Sequence, residues 1–354
     1  MQERKAQFQS MLTGALACLV IFSLGCATKP PSAATIDAAQ LKAYAPLADV
    51  AAGKEPVTAE KVALGRMLYY DARLSKNQKI SCNSCHALSQ YGVDHEATSQ
   101  GHKGQRGDRN SPTVYNAAAH FVQFWDGRAA DVEAQAKGPV LNPVEMAMTS
   151  EKQVLAVLNS MPEYVEAFHK AFPGEKAPVT YDNVGKAIGA FERKLITPAR
   201  WDKFLKGDQA ALTAAEMEGF KTFVASGCAT CHAGALVGGN IYQKAGIVKP
   251  WPDTTDPGRE KVTKLEGDRS VFKVPSLRNI EKTGPYFHNG KVATLKESIA
   301  MMAEHQLGKS LTDADIQAIE TWMKCLTGEI PADYIKAPEL PKSTRNTPKP
   351  IDGD

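Results

Sequence analysis

Two short runs in this chain of 354 residues set a pair of thiols beside an imidazole: Cys82-Asn83-Ser84-Cys85-His86 and Cys228-Ala229-Thr230-Cys231-His232. Cys-x-x-Cys-His is the attachment signature of c-type haem, in which the thiols add to the two vinyl groups. The His that follows is then held beneath the iron as its proximal ligand. Composition alone would produce one such match roughly 0.003 times and two on the order of 10⁻⁵ times, so chance is excluded. A zinc knuckle would bring its second pair close by, whereas His86 and His232 are 146 residues apart. A redox dithiol would not need a His after each pair. The motifs predict two covalently bound c-type haems.

The remaining cysteines fit an exported protein. Arg4 and Lys5 precede an apolar stretch from Met11 to Gly25, the anatomy of a secretory signal over residues 1–25. Ser23-Leu24-Gly25-Cys26 resembles a bacterial lipobox, which makes Cys26 a candidate lipid-anchored residue and the periplasm the expected location. Cys18 leaves with the signal, and Cys325 reads as a buried thiol on the last helix. A linker is expected over 26–44, with a Pro/Ala/Thr-rich spacer at Thr28–Thr35. The composition, 43% hydrophobic and 23% charged, can bury cores. The net charge of +3 comes from scattered residues without a Lys/Arg block, which argues against nucleic acid as a partner.

The elements that must carry these motifs read as helices. Thr58 caps a helix running to about Tyr70, and Cys82 follows it. Thr213 with Glu216 makes a capping box, and Met217, Phe220, Phe223 and Val224 form an apolar stripe before Cys228. Ser150 opens a helix carrying Val154, Val157 and Leu158; another carries Val184, Ile188, Phe191 and Leu195 up to Pro198. Thr312 and Asp315 open the last one, with Ile316, Ile319, Met323 and Leu326 on one face, stopped by Gly328. No run of alternating strands stands out. The expectation is an all-α protein of two cytochrome c-like helical domains, 45–198 and 199–330, each with one covalently bound c-type haem, and a tail over 331–354.

The sixth position on each iron separates an electron carrier from a catalyst. Most of the remaining histidines (His95, His120, His169, His288 and His305) read as surface or hydrogen-bonded groups. His102 differs, because it lies among Gly92, Gly101, Gly104 and Gly107, where a ligand could bind in one state and swing away in another. For the second haem, Met301 and Met302 follow the Asn289-Gly290 turn. Adjacent helical residues point about 100° apart, so at most one of them can face the iron.

Longer motifs bring a specific resemblance. Arg109-Asn110-Ser111-Pro112-Thr113-Val114-Tyr115-Asn116 and Gln123-Phe124-Trp125-Asp126-Gly127-Arg128-Ala129-Ala130-Asp131 resemble the bacterial di-haem cytochrome c peroxidases. So do Ala134-Gln135-Ala136-Lys137-Gly138-Pro139-Val140, Met161-Pro162-Glu163-Tyr164 and Pro285-Tyr286-Phe287-His288-Asn289-Gly290-Lys291-Val292. The likeness runs from about Ala45 to Gly328.

The resemblance implies a low-potential, peroxidatic N-terminal haem with proximal His86 and a displaceable distal ligand at His102. It implies a high-potential C-terminal haem, the electron entry, ligated by His232 and Met302. Trp125 matches the Trp between the two haems; Glu145 and Gln135 match residues lining the peroxide pocket. A Ca²⁺ at the domain junction would take Asn110 with backbone oxygens of Thr283 and Pro285. The implied activity is reduction of hydrogen peroxide with electrons from a small c-type cytochrome or cupredoxin, in a homodimer. Two other readings compete: a non-catalytic di-haem electron carrier, and the related di-haem enzyme that matures a tryptophylquinone cofactor. The latter carries Tyr at the position of Met302.

Overall fold

Side-chain caps start the helices where the capping residues stand in the sequence. In the computed structural model, which describes residues 35–47 and 56–351, Thr58 Oγ1 accepts from the Lys61 amide at 3.2 Å and opens the Ala59–Tyr70 helix. Thr213 and Glu216 exchange reciprocal bonds of 3.2 and 2.9 Å at the head of Ala214–Ser226. Thr312 and Asp315 do the same for Asp313–Lys324. Ser150 caps Glu151–Asn159, and Thr180 caps Tyr181–Glu192. Each cap satisfies an amide that has no partner inside its helix. The expected signal over 1–25 and Cys26 lie outside the described residues.

One packing plan serves both haem motifs. Ala59–Tyr70, upstream of Cys82, crosses Tyr181–Glu192; Ala214–Ser226, upstream of Cys228, crosses Asp313–Lys324. Both crossings run through a glycine. A Cβ on Gly65 would lie 1.8 Å from Ala187 O, and one on Gly219 would lie 2.0 Å from Ala318 O. Backbone contact this close draws each helix pair together and leaves its apolar stripes to line the space beside the haem motif. Two hydrophobic clusters result. The first gathers Leu64, Leu68, Tyr69, Val184, Ile188 and Phe191. The second is aromatic, with Phe223 and Trp322 at 4.5 Å between ring centroids and Trp201 edge-on to Trp322 at 5.5 Å.

The molecule is helix-rich but not purely α. Tyr242–Lys244 (β1) and Val271–Lys273 (β2) form an antiparallel ribbon in the register Tyr242↔Lys273, Gln243↔Phe272, Lys244↔Val271. This corrects the expectation of no strands. Three-residue strands are too short to show alternation, and Phe272 and Lys273 are both buried, so the period of two is absent.

The chain's outer segments also pack. Tyr44, in the stretch read as linker, is buried in the second cluster and its hydroxyl donates to His232 O at 3.2 Å. The tail returns to the first cluster: Tyr334 stacks on Phe191 at 5.1 Å, and Arg73 and Gln78 donate to Pro341 O and Pro348 O at 2.8 Å each.

In an open helical site, Gly→Ala gains about 0.5–1 kcal/mol from propensity. At Gly219 the added methyl meets the Ala318 carbonyl instead, and overpacking of this kind costs about 1–3 kcal/mol. Gly219→Ala should therefore lower the midpoint of thermal or denaturant unfolding; an unchanged or higher midpoint would show that the two helices can separate freely.

Candidate functional site

The first motif builds one wall of a cavity. Ser81 caps the single turn Cys82–Cys85, and both thiols face one side. Burial pushes both thiols up, Cys85 to about 11, so as free side chains they would stay protonated. His86 Nδ1 lies 3.3 Å from Gly92 O, and Gly92 takes φ +72°, a turn that favours glycine. Donation from Nδ1–H to that carbonyl fixes the tautomer and leaves the Nε2 lone pair for a metal. Tyr69, from the preceding helix, donates to His86 O at 2.8 Å.

The same cavity, about 550 Å³ in volume, also has polar side chains in its lining. Gln135 comes from the Val132–Leu141 helix, which Asp131 caps. Glu145 stands on the turn after that helix, with Oε1 accepting from Asn142 Nδ2 at 2.7 Å. Burial raises the Glu145 carboxyl above its ordinary range, while Arg128 and the Asn142 bond draw it partly back. Arg128 is itself stacked on the Phe124 ring, 3.4 Å from its centroid.

His102 is buried close by but does not line this cavity. Its backbone amide bonds Val144 O at 3.1 Å and Glu145 O at 2.8 Å, so its turn lies against the segment that carries Glu145. That approach requires Gly101, where a Cβ would lie 2.0 Å from Val144 O.

The second motif repeats the first wall. Gly227, at φ +98°, ends the Ala214–Ser226 helix and starts the Cys228–Thr230 turn. His232 Nδ1 lies 3.3 Å from Val237 O, and burial lowers its basicity to about 4, which keeps the imidazole neutral. Gly238, at φ +128°, lets the segment after β2 approach: a Cβ there would lie 2.2 Å from Pro275 O and 3.2 Å from His232 Nδ1. The cavity it faces, about 220 Å³, is lined by Phe223, Leu277, Ile299, Met302 and Met323. Met302 reaches it, while Met301 packs into the hydrophobic cluster.

Trp125 lines both cavities. Its indole donates to Asn110 O at 2.9 Å, and its own carbonyl accepts from the Lys273 amide at 2.8 Å. Asn110, Thr283 and Pro285 share the wall of the second cavity; Asn110 Nδ2 donates to Glu96 O at 3.0 Å, which turns its side-chain oxygen the other way. Among the described residues no group of three or more His, Cys, Asp or Glu side chains is placed to hold a metal ion.

The structure adds residues that the sequence did not mark. Arg109 pairs with Asp256 and Asp126 at 2.6 Å each, tying the loop after His102 to a loop of the second half. Arg109 sat inside a recognised motif, but its acidic partners are distant in sequence. Glu192, buried in the first cavity's wall, is pushed up to about 8 by burial and by the Glu133 charge. Lys273 and His120 line both cavities and had no signal of their own.

The geometry defines paired haem-type pockets, each with a tautomer-fixed imidazole and two thiols on one wall. Residues 59–210 match the family model of di-haem cytochrome c peroxidase. The chain is 48% identical over 299 residues to a cytochrome c551 peroxidase of Nitrosomonas europaea, covering 83% of this chain and 87% of that one. It is 45% identical over 304 residues to a cytochrome c551 peroxidase of Pseudomonas aeruginosa, covering 84% and 87%. Among solved structures it resembles a MauG-like protein associated with microbial copper homeostasis, at 26% identity and a TM-score of 0.71, covering 80% of this chain and 94% of that one. The chain belongs to the di-haem cytochrome c peroxidase family, whose members carry haem.

The purified protein should contain two covalent haems per chain. Replacing both thiols of one motif, as in Cys82→Ala with Cys85→Ala or Cys228→Ala with Cys231→Ala, should leave one. Pyridine haemochrome absorbance and intact mass count them directly.

Proposed function

We propose that this protein reduces hydrogen peroxide to water at the cavity bearing His86, with electrons entering at the cavity bearing His232. The observation that carries the reading is asymmetry. Two like motif walls line unlike cavities: the first includes the carboxyl of Glu145 and the amide of Gln135, and the second includes Met302 beside Phe223, Leu277, Ile299 and Met323. A pocket built only to carry electrons has no use for a half-buried carboxyl and amide in its lining. Cys82, Cys85 and His86 would hold one haem, and Cys228, Cys231 and His232 the other. When bound, the haems supply reversible one-electron chemistry and an iron for the peroxide oxygen.

The reaction takes H₂O₂, two electrons and two protons to two waters. Glu145, ionised, takes the proton from the oxygen that binds first. It returns that proton to the departing oxygen, which must leave as water because hydroxide is the poorer leaving group. A carboxyl with a raised pKa suits both halves of this transfer. Gln135, a neutral donor and acceptor, orients the peroxide without competing for the proton. Trp125, fixed from both sides, fills the wall the electron crosses.

His102 acts as the gate. Here its turn rests against Val144–Glu145 and leaves the first cavity clear. In the closed state the imidazole would turn into that cavity as a ligand to the iron, carried on the turn in which Gly104 takes φ +75°. Met302 would complete the second iron and raise its potential. A Ca²⁺ held by Asn110, Thr283 and Pro285 would tie the gate side to the second cavity through hard oxygen donors.

The electron donor is a small c-type cytochrome or cupredoxin, and the protein works in the periplasm, with Cys26 as a lipid tether. Among the described residues no helix is long and apolar enough to cross a membrane. The reading as a cofactor-maturing enzyme is weakened by Met302 where that enzyme carries Tyr. The reading as a plain carrier is separated by steady-state loss of H₂O₂ in the presence of a reduced cytochrome: turnover supports the peroxidase, and its absence sinks it.

Glu145→Gln should cut kcat/KM by about 10²–10⁴-fold, the usual contribution of a general acid–base group. The wild type should lose activity as pH falls through the Glu145 pKa, which lies above the ordinary glutamate value, because the protonated acid cannot accept the first proton. That acidic limb should vanish in the variant; a limb that persists assigns it to another group.

His102→Gly should be active in the fully oxidised state. A variant that still needs prior reduction of one haem would show that His102 is not the gate.

A further inference from the structure

Lys273 is 5% exposed, yet among the described residues no carboxylate pairs with it. Its ammonium bonds His120 Nδ1 at 2.8 Å and Val122 O at 3.2 Å. When charged, the ammonium has three protons and accepts nothing, so one N–H is left over and His120 Nδ1 is the acceptor. The imidazole proton is therefore on Nε2, which is sealed from solvent and has no partner. A buried donor without a partner and a buried cation without a counter-charge line both cavities side by side. Leaving such groups unsatisfied is costly, and a buried cation needs a counter-charge. Burial alone lowers the Lys273 pKa to about 7, so without an anion its charge is only half retained near neutrality.

The missing partner is an anion that enters the space between the cavities after folding. A haem brings two propionate carboxylates, the only anionic groups on its porphyrin edge. We propose that His120 Nε2–H and the Lys273 ammonium form the seat for a propionate of the haem attached at Cys228 and Cys231. This rests on the haem reading above. The choice of haem comes from neighbours: a Cβ on Gly239 would lie 2.8 Å from the His120 ring, and the adjacent Gly238 lies against His232 and Pro275. Lys273 is two residues from that proline. The seat also joins the inter-cavity wall, because the Lys273 amide donates to Trp125 O. His120 and Lys273 are thus positioning residues for the second haem and for Trp125.

A cation at the propionate favours the reduced, less positive iron, so removing it should lower that iron's potential. The test uses the two-haem enzyme, Lys273→Met and Lys273→Arg, with haem counted first. Redox titration followed in the visible spectrum should show the His232 haem alone shifted to lower potential in Lys273→Met and near its original value in Lys273→Arg. Resonance Raman propionate bending bands of that haem should shift in Lys273→Met as well. If Lys273→Met does not retain two haems, His120→Phe carries the Raman measurement, with the same band shift expected. Two haems with unmoved potentials and bands would overturn the proposal, as would a shift confined to the His86 haem. A potential that follows added chloride or phosphate in the wild type would assign the seat to a free anion and overturn it equally. A protein without two haems would instead sink the reading on which it rests.

Discussion

The bond from each proximal imidazole's Nδ1 to a backbone carbonyl is the constraint on which the site depends. Without it either ring nitrogen could carry the proton, and the ring could turn about its own Cβ bond. With it, Nε2 keeps its lone pair and points into the cavity. The acceptors, Gly92 O and Val237 O, lie on turns that return toward the motif just after it ends. Those turns are held in turn by backbone: Gly92 sits at φ +72° against Val114, and Gly238 at φ +128° against Pro275. A side chain at either glycine would push the turn away and release the ring. The ligand's aim is thus set by glycine geometry several residues from the ligand.

This explains how much of the site was legible. A Cys-x-x-Cys-His run is contiguous, so its thiols and imidazole can be read directly, and so can caps, whose partners lie three residues apart. Glu145, Gln135 and Trp125 were different. Each is an ordinary residue in its local context, and only long motifs set them apart; their convergence on one cavity is tertiary. Lys273 and His120 are 153 residues apart, and their meeting depends on a ribbon of two three-residue strands that no periodicity could reveal. Arg109 shows the same limit: its partners Asp126 and Asp256 lie on separate loops, and nothing in the sequence couples them.

The fold was legible for a related reason. Helices begin at capping residues and carry apolar stripes, both of which are local signals. The crossings are less obvious, since a glycine inside a helix ordinarily argues against the helix. At Gly65 and Gly219 that cost in propensity is offset by close approach of a second backbone. How the segments read as linker and tail pack was not legible, for the opposite reason. They lack periodic patterns, yet single side chains anchor them: Tyr44 on the second cluster, and Tyr334 stacked on Phe191 over the first.

The same plan used twice raises the question of what makes the halves differ. The proximal walls are nearly equivalent, down to the tautomer-fixing turn, so they cannot assign separate roles. The difference lies on the distal side. The helix that follows Asp131 brings Gln135 to the first cavity, and the turn after that helix brings a carboxylate whose pKa is raised. In the second, the Leu295–Leu307 helix presents Ile299 and a thioether. A polar wall can move protons and an apolar one cannot, whereas a thioether favours reduced iron. Between them stands Trp125, bonded on one side to Asn110 and on the other to Lys273, so that neither half can shift without disturbing the wall they share. Arg109, one residue before Asn110, pairs with Asp126 in the first half and with Asp256 in the second, so the same segment is tied to both halves by charge as well as through Trp125.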